Sequence, residues 1–149
     1  MATKLLDREF NRNEYMWEAG RFKSFKKWPF TSSSRCAAVQ MAQAGWYCTS
    51  HDPDDPSARC AFCLKELSGW EPTDDPWDEH MKHSSACLFV QFRKKEAELT
   101  VREMIQLTEQ RVLKIMEHQH KEDLKKLNEE KENILQAFEA SYGVKESKE

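Results

Sequence analysis

Cys60-Ala61-Phe62-Cys63 opens a stretch that runs through Leu67-Ser68-Gly69-Trp70 and Asp74-Asp75-Pro76-Trp77 to His80-Met81-Lys82-His83-Ser84-Ser85-Ala86-Cys87. Within it, three thiols and an imidazole follow the order Cys60-x2-Cys63-x16-His80-x6-Cys87. Two residues between the first pair let a tight turn aim both sulfurs at one point. Asp75-Pro76 predicts the start of a helix, with proline suited to its first turn, and that helix carries His80. Thiolates plus imidazole match tetrahedral Zn2+. Four protein ligands leave no open position for water, so the expected ion is a single structural Zn2+ held by Cys60, Cys63, His80 and Cys87. His83, three residues after His80, competes as a ligand on spacing alone.

Working outward, the other two cysteines, Cys36 and Cys48, fit no ligand spacing and read as small buried hydrophobes. An odd count of five cysteines argues against a disulfide framework and for a reduced, intracellular setting. The N-terminal residues lack the apolar run of a secretory signal. A net charge of −3 gives no general attraction to nucleic acid. No general base, nucleophile or open metal position is evident, so the expectation is a binding domain and not an enzyme.

The 149 residues divide by composition. All five Trp lie between Trp17 and Trp77, and every proline lies between Pro29 and Pro76. The expected organisation is a loose segment 1–15, a zinc domain 16–90, a linker 91–96, a long helix 97–142 and a tail 143–149. Inside the domain, Ser32-Ser33-Ser34 offers a cap for a short helix ending near Ala44-Gly45. Short strands fit around 46–47, 59–62 and 64–67. Beyond Phe89, Glu, Lys, Gln and Leu dominate and favour helix. A 4-3 spacing from Leu113 gives the seam Leu113, Glu117, His120, Leu124, Leu127, Lys131, Ile134 and Phe138, of which five of eight are apolar. That seam fits either a solvated helix with charged pairs or a helix awaiting partner helices, and its apolar positions favour the second.

These motifs, joined by Arg21-Phe22-Lys23-Ser24-Phe25-Lys26-Lys27-Trp28-Pro29 and Met41-Ala42-Gln43-Ala44-Gly45-Trp46-Tyr47, resemble a baculovirus IAP repeat (BIR) domain over about residues 18–90. One repeat, a long charged helix and no second cysteine set make the chain similar to the single-repeat members of the inhibitor of apoptosis family. The resemblance implies an α+β fold: a zinc-binding BIR domain with a small three-stranded antiparallel sheet and short helices, then a long C-terminal helix. It also implies an adaptor of the chromosomal passenger complex. There the long helix, here through Leu113, Leu124, Leu127, Ile134 and Phe138, bundles with borealin and the inner centromere protein. An Aurora-type kinase is thereby targeted indirectly, at centromere, kinetochore, spindle midzone and midbody. The family is also described as anti-apoptotic.

Between Glu66 and His80 the chain has Glu66, Glu71, Asp74, Asp75, Asp78 and Glu79 but no lysine or arginine. Such a surface repels phosphate backbones. Carboxylates beside tryptophan suit the free amine of a peptide N-terminus. By resemblance, Asp74 holds that amine, Leu67 and Trp70 line the pocket for the first side chain, and Lys65 and His83 hold a phosphothreonine on a histone tail. Ser68 replaces a glutamate common at that position. Trp70 as core and Asp74 as a helix cap are the plainer alternatives. A homodimer through Phe92, Leu99, Val101, Met104 and Ile105 is likewise implied by resemblance. The same pocket suits an alternative role, inhibition of apoptosis by binding caspases or alanine-first antagonist peptides. A ubiquitin ligase is opposed by the lack of a second zinc cluster.

Overall fold

The computed structural model describes residues 13–143; the N-terminal segment expected to be loose falls mostly outside that range, as does the tail after Gly143. A 3-10 turn, Asn13–Met16, leads into α1 (Glu18–Ser24), followed by α2 (Ala38–Gln43). Three strands follow: β1 (Trp46–Ser50), β2 (Ser57–Cys60) and β3 (Glu66–Ser68). They form one antiparallel sheet in the order β1-β2-β3, with Trp46 opposite Cys60 and Ala58 opposite Leu67. Then come α3 (Pro76–His83), α4 (Leu88–Phe92), a 3-10 turn Glu96–Glu98 and α5 (Val101–Tyr142).

Local chemistry sets several boundaries differently from the sequence expectation. The serines 32–34 do not cap α2, whose N-cap is Ala37 without a side-chain bond. β2 stops at Cys60 because the next residues turn through the knuckle. The long helix starts at Val101, not 97. Thr100 is its N-cap: its hydroxyl accepts from the Glu103 N–H at 3.2 Å, and the Glu103 carboxylate accepts from the Thr100 N–H at 2.8 Å. This reciprocal pair satisfies two otherwise orphaned donors. The expected linker 91–96 is split between the end of α4 and the 3-10 turn.

The core is aromatic. Phe89 stacks between Phe62 and Trp77, at centroid distances of 4.6 and 5.4 Å. Trp46 meets Trp70 edge-on at 5.3 Å. Gly45 is required twice over: its φ is +91°, and an added Cβ would lie 2.9 Å from the Phe89 ring. Cys36 and Cys48 are buried free thiols, and burial pushes each up to about 11.

Arg21 is fully buried and belongs to the scaffold. It donates to the carbonyls of Ala42, Tyr15 and Met16 at 2.8, 3.0 and 2.9 Å, and its guanidinium lies over the Phe62 and Phe89 rings. Burial lowers its pKa and the nearby Glu96 carboxylate opposes that, so the charge persists. Glu96 also accepts from the Glu18 N–H, which fastens the 3-10 turn to α1.

Candidate metal centre and peptide cleft

The structure brings Cys60, Cys63, His80 and Cys87 together, with all four donor atoms within 4.8 Å of one another. Zn–S bonds of about 2.3 Å place tetrahedral sulfurs about 3.8 Å apart, so this cluster fits such an ion. Each donor is aimed by its local fold. Cys60 closes β2, and its sulfur accepts from the N–H groups of Phe62 and Cys63 at 3.3 and 3.5 Å. α3 carries His80, and Asp75 caps that helix by accepting from Trp77 and Asp78. His80 Nδ1 lies 3.0 Å from the Ala44 carbonyl, which directs Nε2 at the sulfurs. Ser84 Oγ donates to Cys63 Sγ at 3.3 Å. His83 is not part of the cluster; it is exposed and pairs with Glu79 at 3.1 Å.

The donors shift one another. Hydrogen bonds from Cys60 and then Cys87 drive the Cys63 thiol far below its ordinary range. Cys60 is pushed up, chiefly by burial, and Cys87 is pushed up by its bonds to Cys60 and Cys63. Burial disfavours charge on His80, but its bonds to Cys63 and Cys87 outweigh that and raise it to about 9. Ligation needs thiolates and a neutral imidazole, so a bound Zn2+ would displace the proton on His80 and those on the thiols.

On the other side of α3 lies a cleft of about 280 Å³ lined by Leu67, Ser68, Trp70, Asp74, Glu79 and His83, with Glu66 and Gly69 at its edge. Trp70 is only 5% exposed and donates its indole N–H to the Leu67 carbonyl at 3.2 Å. It is therefore a core residue that offers an edge to the cleft. Asp75, not Asp74, caps α3. The Asp74 carboxylate accepts from the Glu71 N–H at 2.7 Å and has no ion-pair partner among the described residues. Its neighbours are compensated: Glu66 pairs with Arg59 at 2.6 Å, and Glu79 with His83 and Lys82. Lys65 is not brought into this cleft. It lines a separate groove of about 260 Å³ between the Cys63 loop and α5, with Lys114, His118 and Lys121.

The model of the Inhibitor of Apoptosis (BIR) domain family matches residues 21–91. Baculoviral IAP repeat-containing protein 5 of Cavia porcellus is 40% identical over 121 residues, which are 80% of this chain and 84% of that one. The chain belongs to the inhibitor of apoptosis family, as a survivin-like BIR protein. Baculoviral IAP repeat-containing protein 5.2-A of Xenopus laevis is 47% identical over 89 residues, 60% of this chain; the match spans 57% of the relative's own length. Among solved structures, the autoinhibited dIAP1-BIR1 domain is 31% identical, with 58% of this chain and 78% of that chain covered and a TM-score of 0.43.

Of the residues implied for self-association, Leu99, Val101 and Met104 line an open apolar groove of about 700 Å³ with Trp17, Phe22 and Val39. Ile105, one helical turn from Val101, is exposed, and Phe92, like Leu99 and Met104, is partly buried against the core. The five expected partner-helix residues, Leu113, Leu124, Leu127, Ile134 and Phe138, are all exposed. Two residues with structural reach do not stand out in the sequence. Gln110 and Arg111 face the metal loops, and nothing distinguishes them in a helix rich in glutamine and charge.

Proposed function

We propose that this protein is a non-enzymatic adaptor that binds the N-terminus of a histone tail through the Leu67–Trp70–Asp74 cleft, while α5 joins partner helices. The observation that carries this reading is Asp74. A carboxylate fixed by the Glu71 N–H, without a counter-cation among the described residues and beside an aromatic edge, suits a free α-amine whose small first side chain rests on Trp70 and Leu67. Ser68 removes one further carboxylate from the rim and so lowers the amine-binding contribution. His83 supplies a cation-capable group for a phosphothreonine, and Lys65 takes part only if the peptide runs from the cleft towards the knuckle groove.

The metal is proposed to be one Zn2+, because three cysteine sulfurs and one histidine nitrogen at this spacing suit it over harder cations. Its role is to pin β2, α3 and the Cys87 loop so that the cleft keeps its shape. The exposed seam of α5 supports bundling with helices of the borealin and inner centromere protein type, and through them an Aurora-type kinase at centromeres and the midbody. The groove at Leu99, Val101 and Met104 supports a homodimer when those partners are absent.

Calorimetry with a histone N-terminal peptide tests the central reading. Expected are binding to the free-amine peptide, tighter binding with threonine phosphate, and loss on N-terminal acetylation or in Asp74→Asn. Equal binding of the acetylated peptide would refute it. Binding of an alanine-first antagonist peptide alone would favour the apoptosis-inhibitor role, which uses the same cleft.

A further inference from the structure

The long helix reaches the metal centre from outside the ligand set. Gln110 straddles Cys87: its Oε1 accepts from the Leu88 N–H at 3.1 Å, and its Nε2 donates to the Ala86 carbonyl at 3.1 Å. The adjacent Arg111 donates from Nη1 to the carbonyl of Ala61, which lies between Cys60 and Cys63. Arg111 is 3% exposed, and Leu107 and Ile115, one turn away on either side, are 0% and 1% exposed. Two consecutive residues of α5 thus brace the backbone of both loops that supply the three cysteines. His80 is braced separately, by Ala44.

We propose that Gln110 and Arg111 are positioning residues of the metal centre, so that metal retention and docking of the first half of α5 form one coupled equilibrium. This rests on the reading that the four residues hold zinc. The loops at Cys60–Cys63 and Cys87 are far apart in sequence, and an excursion of either opens the coordination sphere. Two bonds flanking Cys87 and one inside the knuckle restrain those excursions at the backbone. Removing such outer partners of metal ligands typically costs about 10–100-fold in metal affinity. Linkage makes the effect reciprocal: whatever lifts α5 from its seat loosens the metal, and metal loss releases α5. Helices bundling on the outer seam do not compete for the seat, because Leu113 and Met116 face away from it and are 59% and 57% exposed.

The experiment uses the full chain and follows zinc transfer to the chelator 4-(2-pyridylazo)resorcinol, with hydrogen exchange across residues 86–88 and 104–119. Metal content is measured first; a purified protein without zinc sinks the zinc reading by itself. In the zinc-loaded protein, Gln110→Ala and Arg111→Met should each speed zinc release by about tenfold or more and reduce protection in both segments. Arg111→Lys, which keeps a donor for Ala61, should restore much of the retention. Gln110→Glu keeps an acceptor for Leu88 but loses the donor to Ala86, and should fall between wild type and Gln110→Ala. Lys126→Ala, on the exposed part of α5, should release zinc at the wild-type rate. Wild-type release from both Gln110 variants overturns the proposal, and does so even if Arg111→Met fails to fold.

Discussion

Leu107, Arg111, Ile115 and Gln119 are buried along α5, whereas every residue from His120 to Ile134 is exposed. Both stretches belong to one helix, but residues 104–119 hold seven apolar side chains and residues 120–134 only three, Leu124, Leu127 and Ile134. The counter-surface differs as well. Residues 104–119 lie on the zinc domain, and their buried positions recur every four residues. The outer seam alternates steps of three and four. At roughly 100° per residue, Arg111 and Leu113 point about 160° apart, so one helix carries two faces. The inner face is already buried. The outer face leaves Leu124, Leu127, Ile134 and Phe138 46%, 61%, 66% and 54% exposed. An exposed apolar stripe of that kind, interrupted by Lys131, is the feature on which the proposed association rests. A helix of this length with polar surfaces all round would gain little from burial, so it is stabilised by docking at one end and, on the proposed reading, by bundling at the other.

Metal removal should break the contrast most completely. Structural zinc sites of this type contribute on the order of 10 kcal/mol to folding. Cys60→Ser, or chelation, should abolish the near-ultraviolet circular dichroism of the packed tryptophans and erase exchange protection in both the domain and residues 104–119. Exchange at 124–140 should hardly change. Retained protection at 104–119 would mean that the helix does not depend on the domain.

Next in size are truncations on the two faces. Leu107→Ala and Ile115→Ala empty fully buried sites and should each cost about 2–5 kcal/mol in urea unfolding. Leu127→Ala should stay within about 0.5 kcal/mol, since it removes no contact with the domain. The paired change Leu124→Glu with Leu127→Glu should leave stability equally unmoved while reducing capture of partner-helix fragments by about tenfold or more. Unfolding of that double variant would reveal an intramolecular role for the outer seam.

Much of the metal centre was legible because its chemistry imposes spacing. Cys60-x2-Cys63, the Asp75-Pro76 helix start and the downstream His80 and Cys87 each constrain local geometry. The choice between His80 and His83 was not legible. It depends on which imidazole the Ala44 carbonyl reaches, a contact across 36 residues of chain. The docked face of α5 was equally opaque: Leu107, Arg111, Ile115 and Gln119 alternate apolar and polar, and the buried Arg111 donates to a knuckle carbonyl 50 residues away in sequence. Trp70 shows a third case. Pocket and core look like alternatives for it in the sequence, yet a tryptophan only 5% exposed can pack on Trp46 and still present an edge. The start of α5 was hidden although Thr100-x-x-Glu103 is a capping box, because helix-favouring residues upstream masked it.

The smallest expected effect sits where the domain hands over to the helix. Glu103 binds Lys94 at 2.6 Å and closes the capping box with Thr100. The Lys94 ammonium first, and then the Thr100 N–H, hold its carboxyl down to about 2 from an ordinary 4.5. The folded pKa is depressed, so the stabilisation is fully present above about 4.5 and is lost as pH falls towards 2. Its loss frays the first turn of α5, next to Met104 and the apolar groove, without reaching the seat at Arg111. Amide exchange at Val101–Glu103 should therefore accelerate between about pH 4.5 and 2 beyond the intrinsic rate, while Ile115 stays protected until the domain itself unfolds. Glu103→Gln keeps an acceptor for the cap but loses the ion pair, and should remove the pH step from that first turn. A step that persists in the Glu103→Gln variant would place the titrating group elsewhere, and the fraying would then belong to the zinc domain and not to the helix start.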